Sequence, residues 1–73
     1  MEFDYSKLRG KIREVFSTQE QYANSMDLSE TSITNKLNNN SYFTQAEIIK
    51  SIDLLKIDVN EIGAYFFTLK VEK

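Results

Sequence analysis

The sequence contains no cysteine, no histidine and no proline, and it has only two glycines among 73 residues. Without cysteine the chain forms no disulfide, and without cysteine and histidine it lacks the ligands that zinc and most catalytic metals prefer. No hydrophobic run approaches the roughly 20 residues of a membrane-spanning helix, and no signal-peptide core follows the start. We therefore expect a cytoplasmic protein with no metal site, no cofactor and no membrane partner.

What the chain does have is enough hydrophobic sequence for one small core. Hydrophobic residues make up 41% of it, the net charge is -2 and the pI is near 5.0. Because phosphate neutralisation by Lys and Arg supplies most nonspecific affinity for nucleic acid, this charge argues against binding by simple attraction. Four of the nine basic residues, Lys7, Arg9, Lys11 and Arg13, alternate along one segment, which favours a solvated helix surface over the alternative of a phosphate clamp.

Four predicted helix starts share one pattern. A capping residue comes directly after an apolar residue, and a second apolar residue follows the cap four positions later. The predicted caps are Asp4, Ser29, Thr44 and Asp58. Glu47 and Glu61 complete reciprocal capping boxes with the last two caps, and Ser17 with Glu20 forms a fifth start. Five starts in a chain of this length predict five short helices.

Apolar residues recur at the three- and four-residue spacing of buried helix faces. The predicted stripes are Leu8, Ile12, Val15 and Phe16; Tyr22, Ala23 and Met26; Ile33 and Leu37; and Ile48, Ile49, Ile52 and Leu55. We predict helices at about 5–16, 18–26, 30–38, 45–55 and 59–67. No strand alternation competes, so the fold class is all-α, in a single domain spanning 1–73.

Residues 18–37 have the spacing of a helix-turn-helix unit, with only residues 27–29 between two short helices. Gln19 opens the unit, and Ala23 supplies a small side chain where the helices approach. Leu28 and Ile33 are predicted to face the core. Such a tight turn commonly contains glycine, and Asp27 departs from that pattern, although Asp tolerates a left-handed backbone better than most residues.

The sequence resembles the small phage regulators of the lambda repressor and Cro class, and more closely the short phage switch proteins with the same start. The segments that carry the resemblance are FDYSKLRGKI, TQEQYA, LSETSITNKLNN, FTQAEI and IGAYFF, which together span nearly the whole chain. The resemblance implies a lambda-repressor-like helix-turn-helix domain that acts in the lysis-lysogeny decision inside a bacterial host. Members act either as antirepressors that bind a CI-type repressor or as Cro-like proteins that bind operator DNA.

In the lambda-type motif, exposed residues early in the second helix contact base edges, and residues at the start of the first helix contact phosphate. Carried onto this sequence, the candidate DNA-binding residues are Gln19, Glu30, Thr31, Ser32, Asn35 and Lys36. Asn35 suits adenine, whereas Glu30 brings negative charge to a phosphate-lined groove. The alternative interpretation is that these residues bind no DNA and are simply solvated or stabilise the start of the helix.

Aromatic residues form a second set of candidates. Phe and Tyr make up 12% of the chain, and two clusters lie at the ends of predicted elements. Since consecutive helix positions point about 100° apart, the rings of 65–67 cannot all share one buried face. Aromatic residues are enriched where interfaces concentrate binding energy. The candidate partner-binding residues are Tyr42, Phe43, Tyr65, Phe66 and Phe67.

The sequence leaves four functional alternatives. An antirepressor, which binds the N-terminal DNA-binding domain of a CI-type repressor and favours the lytic cycle, fits the acidic pI, Glu30 and the aromatic surplus. A Cro-like repressor, binding operator DNA as a dimer, fits the motif itself, and one protein can do both. An enzyme is disfavoured because the chain has no histidine, cysteine or glycine-rich phosphate loop, so we expect no small-molecule substrate. An antitoxin or other partner module is the fourth reading.

Overall fold

A computed structural model describes residues 2–71, so residues 1, 72 and 73 of the predicted domain lie outside the described range. Its helices are α1 (Ser6–Phe16), α2 (Gln19–Ser25), α3 (Glu30–Leu37), α4 (Gln45–Leu55) and α5 (Ile62–Phe66). A single 3₁₀ turn, Val59–Glu61, leads into α5. The predicted all-α class and its five helices are confirmed, and α4 has the predicted bounds.

Two of the predicted helix caps form as expected. The Thr44 hydroxyl accepts a hydrogen bond from the Glu47 backbone N–H at 3.1 Å, and the Glu47 carboxylate accepts from the Thr44 N–H at 2.9 Å. This reciprocal pair satisfies two backbone donors that α4 leaves without partners. At the start of α3, the Ser29 hydroxyl accepts from the Ser32 N–H at 3.0 Å.

The other three predicted starts differ in detail. Asp4 accepts from the N–H and hydroxyl of Ser6, but the capping position of α1 is Tyr5. Ser17 ends α1 with a positive φ of 69°, so the predicted box of Ser17 with Glu20 is wrong. Thr18 caps α2 instead, by accepting from the Gln21 N–H.

At the predicted start near Asp58, the cap forms but the reciprocal capping box does not. The Asp58 carboxylate accepts from the Asn60 N–H at 2.8 Å. Glu61 does not complete the reciprocal pair and lies 3.7 Å from the Lys7 ammonium. The 3₁₀ winding of this turn places Glu61 differently from the third position of an α-helix.

The helices enclose one hydrophobic core. Its buried hydrophobic residues are Tyr5, Leu8, Ile12, Tyr22, Ala23, Met26, Ile33, Leu37, Phe43, Ile48, Ile52, Leu55, Ile57, Tyr65 and Phe66. Two predicted core positions are wrong, because Val15 and Ile49 are exposed. Each adjoins a residue that packs inward, Phe16 and Ile48, and the next position on a helix turns about 100° away from it.

One short pairing was not predicted from the sequence. Phe3 and Leu69 form an antiparallel bridge, in which the Asp4 N–H donates to the Thr68 carbonyl at 2.7 Å and the Lys70 N–H donates to the Glu2 carbonyl at 2.9 Å. The bridge joins the segment before α1 to the segment after α5. Among residues 2–71, no helix is both long and apolar enough to cross a membrane.

Candidate functional site

Helices α2 and α3 form the predicted two-helix unit. The Leu28 N–H donates to the Ala23 carbonyl at 3.0 Å, which closes the turn, and Ala23 is almost fully buried beneath it. Asp27 has a φ of 59°, so the turn uses the left-handed backbone that its sequence position predicted. Ile33 is fully buried and Leu28 packs against the core, which agrees with their predicted roles.

Gln19 lies at the start of α2, where its side chain bridges the two helices. Its Nε2 donates to the Thr34 hydroxyl at 2.7 Å. The donor that the sequence assigned to phosphate therefore has a partner on α3 in this structure. This hydrogen bond links the start of α2 to the middle of α3.

The early residues of α3 are partly exposed, as the motif mapping expected. Glu30, Thr31 and Asn35 are exposed, while Ser32 is half-buried and accepts a 3.0 Å hydrogen bond from the Ser29 hydroxyl. Thr31 and Asn35 lie four positions apart and so share one face of the helix. The exposed part of α3 carries hydroxyl, amide and carboxylate groups. The lysine of α3, Lys36, is directed toward Glu47 and Tyr42 instead.

The side chain of Lys36 is held by other groups of the protein. Its ammonium lies 3.0 Å from the Glu47 carboxylate, donates to the Tyr42 carbonyl at 2.9 Å and sits 5.9 Å from the centre of the Phe43 ring. The Lys36 side chain is only 12% exposed. Its candidate phosphate contact would require these three interactions to break.

The ion pair also affects the carboxyl group. Burial raises the pKa of Glu47, but the hydrogen bond from Thr44 and the contacts with Lys36 outweigh burial, so the pKa lies below its ordinary value. Glu47 therefore remains ionised at neutral pH and holds Lys36 in place. The pair joins α3 to the start of α4.

Two further bases near the unit are engaged in the same way. The Arg9 guanidinium donates to the Leu37 carbonyl at 3.2 Å and to the Asn38 side chain at 2.8 Å, so it caps the end of α3. The Lys50 ammonium lies 3.0 Å from the Asp27 carboxylate in the turn. By contrast, Glu20 and Glu30 are exposed and form no ion pair within residues 2–71.

The aromatic candidates divide into buried and exposed rings. Tyr42 is 66% exposed and Phe67 is 53% exposed, as expected for partner-binding residues. Phe43, Tyr65 and Phe66 are buried, and of these Phe43 and Phe66 line a groove at the surface. Tyr65 and Phe66 are buried and Phe67 points outward. This agrees with the prediction that the three consecutive rings cannot all share one buried face.

The exposed rings border an apolar groove of about 390 Å³. Its walls are Phe3, Tyr5, Tyr42, Phe43, Ile48, Phe66 and Phe67. The Phe3 and Phe67 rings meet edge to face, with centres 5.9 Å apart. Sequence reasoning missed Phe3 and Tyr5 as members of this wall, because their place depends on the bridge between distant ends of the chain.

Comparison with known proteins places the chain in a family. A family model described as protein of unknown function (DUF739) matches residues 1–69. The chain belongs to this family. No curated protein sequence matches this DUF739 chain. Within residues 2–71, no group of three or more acidic side chains is arranged to hold a metal ion.

A solved structure is similar to this DUF739 chain over almost its full length. It is the solution structure of the modulator of repression (MOR) of the temperate bacteriophage TP901-1 from Lactococcus lactis, with 40% sequence identity and a TM-score of 0.81. The match covers 99% of this chain and 97% of that one. The match supports the expected similarity to phage regulators of the antirepressor type. The DNA-binding and partner-binding roles of the candidate residues stay predictions.

Proposed function

We propose that this protein is the antirepressor of a bacteriophage genetic switch. It binds the N-terminal DNA-binding domain of a CI-type repressor, prevents that repressor from occupying its operators and so favours the lytic cycle. The similarity to a phage modulator of repression supports this role. The charge arrangement around α2 and α3 supports a protein partner in preference to DNA.

The observation that carries the proposal is the state of the bases around the two-helix unit. Arg9, Lys36 and Lys50 are held by groups of the protein itself, and Arg13, which lines a cleft with Gln19, forms no ion pair within residues 2–71. Glu20 and Glu30 are exposed in the first turns of α2 and α3. A DNA-binding surface needs the reverse arrangement, because cations must meet phosphate. Exposed carboxylates fit a cationic protein surface instead.

The operator-binding surface of a repressor is cationic for the same reason. Its Lys and Arg side chains, which contact phosphate in the operator complex, are the complement of Glu20 and Glu30. Contact at that surface blocks DNA by direct competition. Tyr42 and Phe67 supply exposed aromatic area of the kind that concentrates binding energy at interfaces.

A gel-shift titration with the intergenic operator DNA of the same phage tests the proposal. It compares this protein alone, the cognate repressor alone and the two together. We expect no specific shift from this protein alone and loss of the repressor's shift when it is added. A repressor shift that persists at saturating antirepressor would contradict the proposal.

The alternative is a Cro-like repressor that binds operator DNA directly, as a dimer. The observation that favours it is the exposed pair Thr31 and Asn35 on α3, since an Asn amide can bond adenine at two positions. In the same titration, a specific shift by this protein alone that Asn35→Ala abolishes would support this alternative. Both activities together would appear as a shift that the repressor changes.

A further inference from the structure

A small polar cleft lies where α1, the start of α2 and the end of α3 meet. Its volume is about 70 Å³, and its lining residues are Arg9, Ile12, Arg13, Ser17, Gln19 and Leu37. Arg9 and Arg13 lie four positions apart, so they share one face of α1. None of the lining residues is acidic, and none of them belongs to the aromatic groove.

The positive charge of the cleft is not neutralised within residues 2–71. The Arg13 guanidinium forms no ion pair there, and the neighbouring Glu14 pairs instead with the Lys11 ammonium at 3.2 Å. Arg9 uses only its Nη2 for the two bonds that it donates to the end of α3. Its Nη1 and Nε therefore remain as donors without a partner in the described part of the chain.

Two guanidinium groups and the Ser17 hydroxyl around so small a space fit a single carboxylate. A planar guanidinium binds a carboxylate through two parallel hydrogen bonds, and such charge-assisted bonds are stronger than neutral ones. The cleft also has an apolar wall, since Ile12 and Leu37 line it and are each 3% exposed. This wall can contact the aliphatic stem of a glutamate, whereas a phosphodiester has no such stem.

We infer that this cleft binds an acidic side chain of the repressor, an assignment that rests on the proposed function. Gln19 lines the cleft and Glu20 follows it in the first turn of α2, so one partner surface can reach both. The partner then carries a carboxylate beside the cations that meet Glu20 and Glu30. DNA is anionic throughout, so it matches Arg13 and is repelled by the two carboxylates. Charges of both signs at one interface fix its register and select the partner.

Isothermal titration of the CI-type repressor with Arg13→Gln measures the contribution of the cleft. We expect roughly tenfold weaker binding, because the acid loses its two-bond partner. Arg13→Lys keeps the charge without the planar group and should bind with intermediate affinity. The matched control is Lys56→Gln, which removes an exposed charge at the end of α4 that forms no ion pair within residues 2–71 and should bind like wild type. Wild-type affinity in a folded Arg13→Gln would overturn the inference.

A titration with small probes tests the cleft without the repressor. The full ¹⁵N-labelled chain is titrated at constant ionic strength with acetylglutamate methylamide, with its neutral glutamine counterpart and with dimethyl phosphate. We expect the glutamate probe to shift the Arg13 Nε–H resonance with millimolar affinity, the phosphate to shift it less and the glutamine probe to leave it unchanged. No shift with the glutamate probe, or an equal shift with dimethyl phosphate, would overturn the inference.

The two titrations separate failure of the cleft from failure of the proposed function. If wild type does not bind the repressor while the glutamate probe still shifts Arg13, the proposed function fails and the assignment of the acid to the repressor fails with it. If wild type binds the repressor and a folded Arg13→Gln binds equally well, the antirepressor role stands and only the inference about the cleft is overturned.

Discussion

The side-chain amide of Asn39 forms two hydrogen bonds with the backbone of Phe3. Asn39 Oδ1 accepts from the Phe3 N–H at 2.8 Å, and its Nδ2 donates to the Phe3 carbonyl at 3.0 Å. The amide thus takes the place of a neighbouring strand along the outer side of Phe3. Asn39 itself has a φ of 66°, a conformation that Asn adopts more readily than most residues.

Replacement of Asn39 should destabilise the protein through both features. Asn39→Ala leaves two half-buried backbone groups without partners and disfavours the positive φ, so we expect a loss of about 2 kcal/mol in the free energy of unfolding. Asn39→Gly retains backbone freedom and isolates the effect of the side chain. Urea denaturation measures both variants. Equal stability of wild type and Asn39→Gly would show that the two hydrogen bonds contribute nothing net.

The hydroxyl groups of Tyr22 and Ser51 form a buried pair in the core, with their oxygens 2.6 Å apart. Either single change, Tyr22→Phe or Ser51→Ala, leaves one buried hydroxyl unpaired and should cost about 1 to 3 kcal/mol. The double variant removes both groups and should cost less than the sum of the two single changes. Strict additivity in a double-mutant cycle would contradict direct coupling.

The same pair makes stability sensitive to alkaline pH. Burial raises the pKa of Tyr22 from 10.0 to about 12, and the hydrogen bond with Ser51 offsets only part of this effect. Because the folded state holds the neutral phenol, its contribution to stability is complete below pH 10.0 and is lost as pH rises toward 12. Unfolding free energies of wild type and Tyr22→Phe should converge over this interval. Parallel pH profiles would count against the shift.

The third pair of variants separates core rings from surface rings. Phe66 is 1% exposed, so Phe66→Ala should cost about 3 to 5 kcal/mol and threaten folding itself. Phe67→Ala, at the adjacent exposed position, should cost less than about 1 kcal/mol. Thermal and urea unfolding measure both. Similar losses from the two changes would mean that the α5 cluster packs differently.

Much of the fold was predictable because local chemistry determines it. The capping box of Thr44 and Glu47 and the apolar spacing of α4 are readable from neighbouring residues, and the observed bounds agree. Ser17 and Thr18 are both of residue types that cap helix starts, so the sequence does not distinguish them. The backbone conformation of Ser17, which ends α1, shows that Thr18 caps α2. The predicted burial was wrong at Val15 and Ile49, which are exposed. Each lies next to another apolar residue, and only one residue of each adjacent pair faces the core.

The candidate site was less predictable because it depends on contacts between distant residues. The exposure of Glu30, Thr31 and Asn35 follows from helix periodicity. The engagement of Lys36 by Glu47 and of Gln19 by Thr34 does not, since each pair joins different elements. The Phe3 wall of the groove likewise depends on the bridge to Leu69.

We predict that the exposed carboxylates of α2 and α3 contact a cationic surface of the repressor. Isothermal titration of the purified CI-type repressor with wild type and with the double variant Glu20→Gln/Glu30→Gln tests it most directly. The matched control is Asp53→Asn, which removes an exposed carboxylate of α4 that forms no ion pair within the described chain. We predict roughly tenfold weaker binding by the double variant, a loss that shrinks at high salt, and an unchanged control. Wild-type affinity in a folded double variant would contradict the claim.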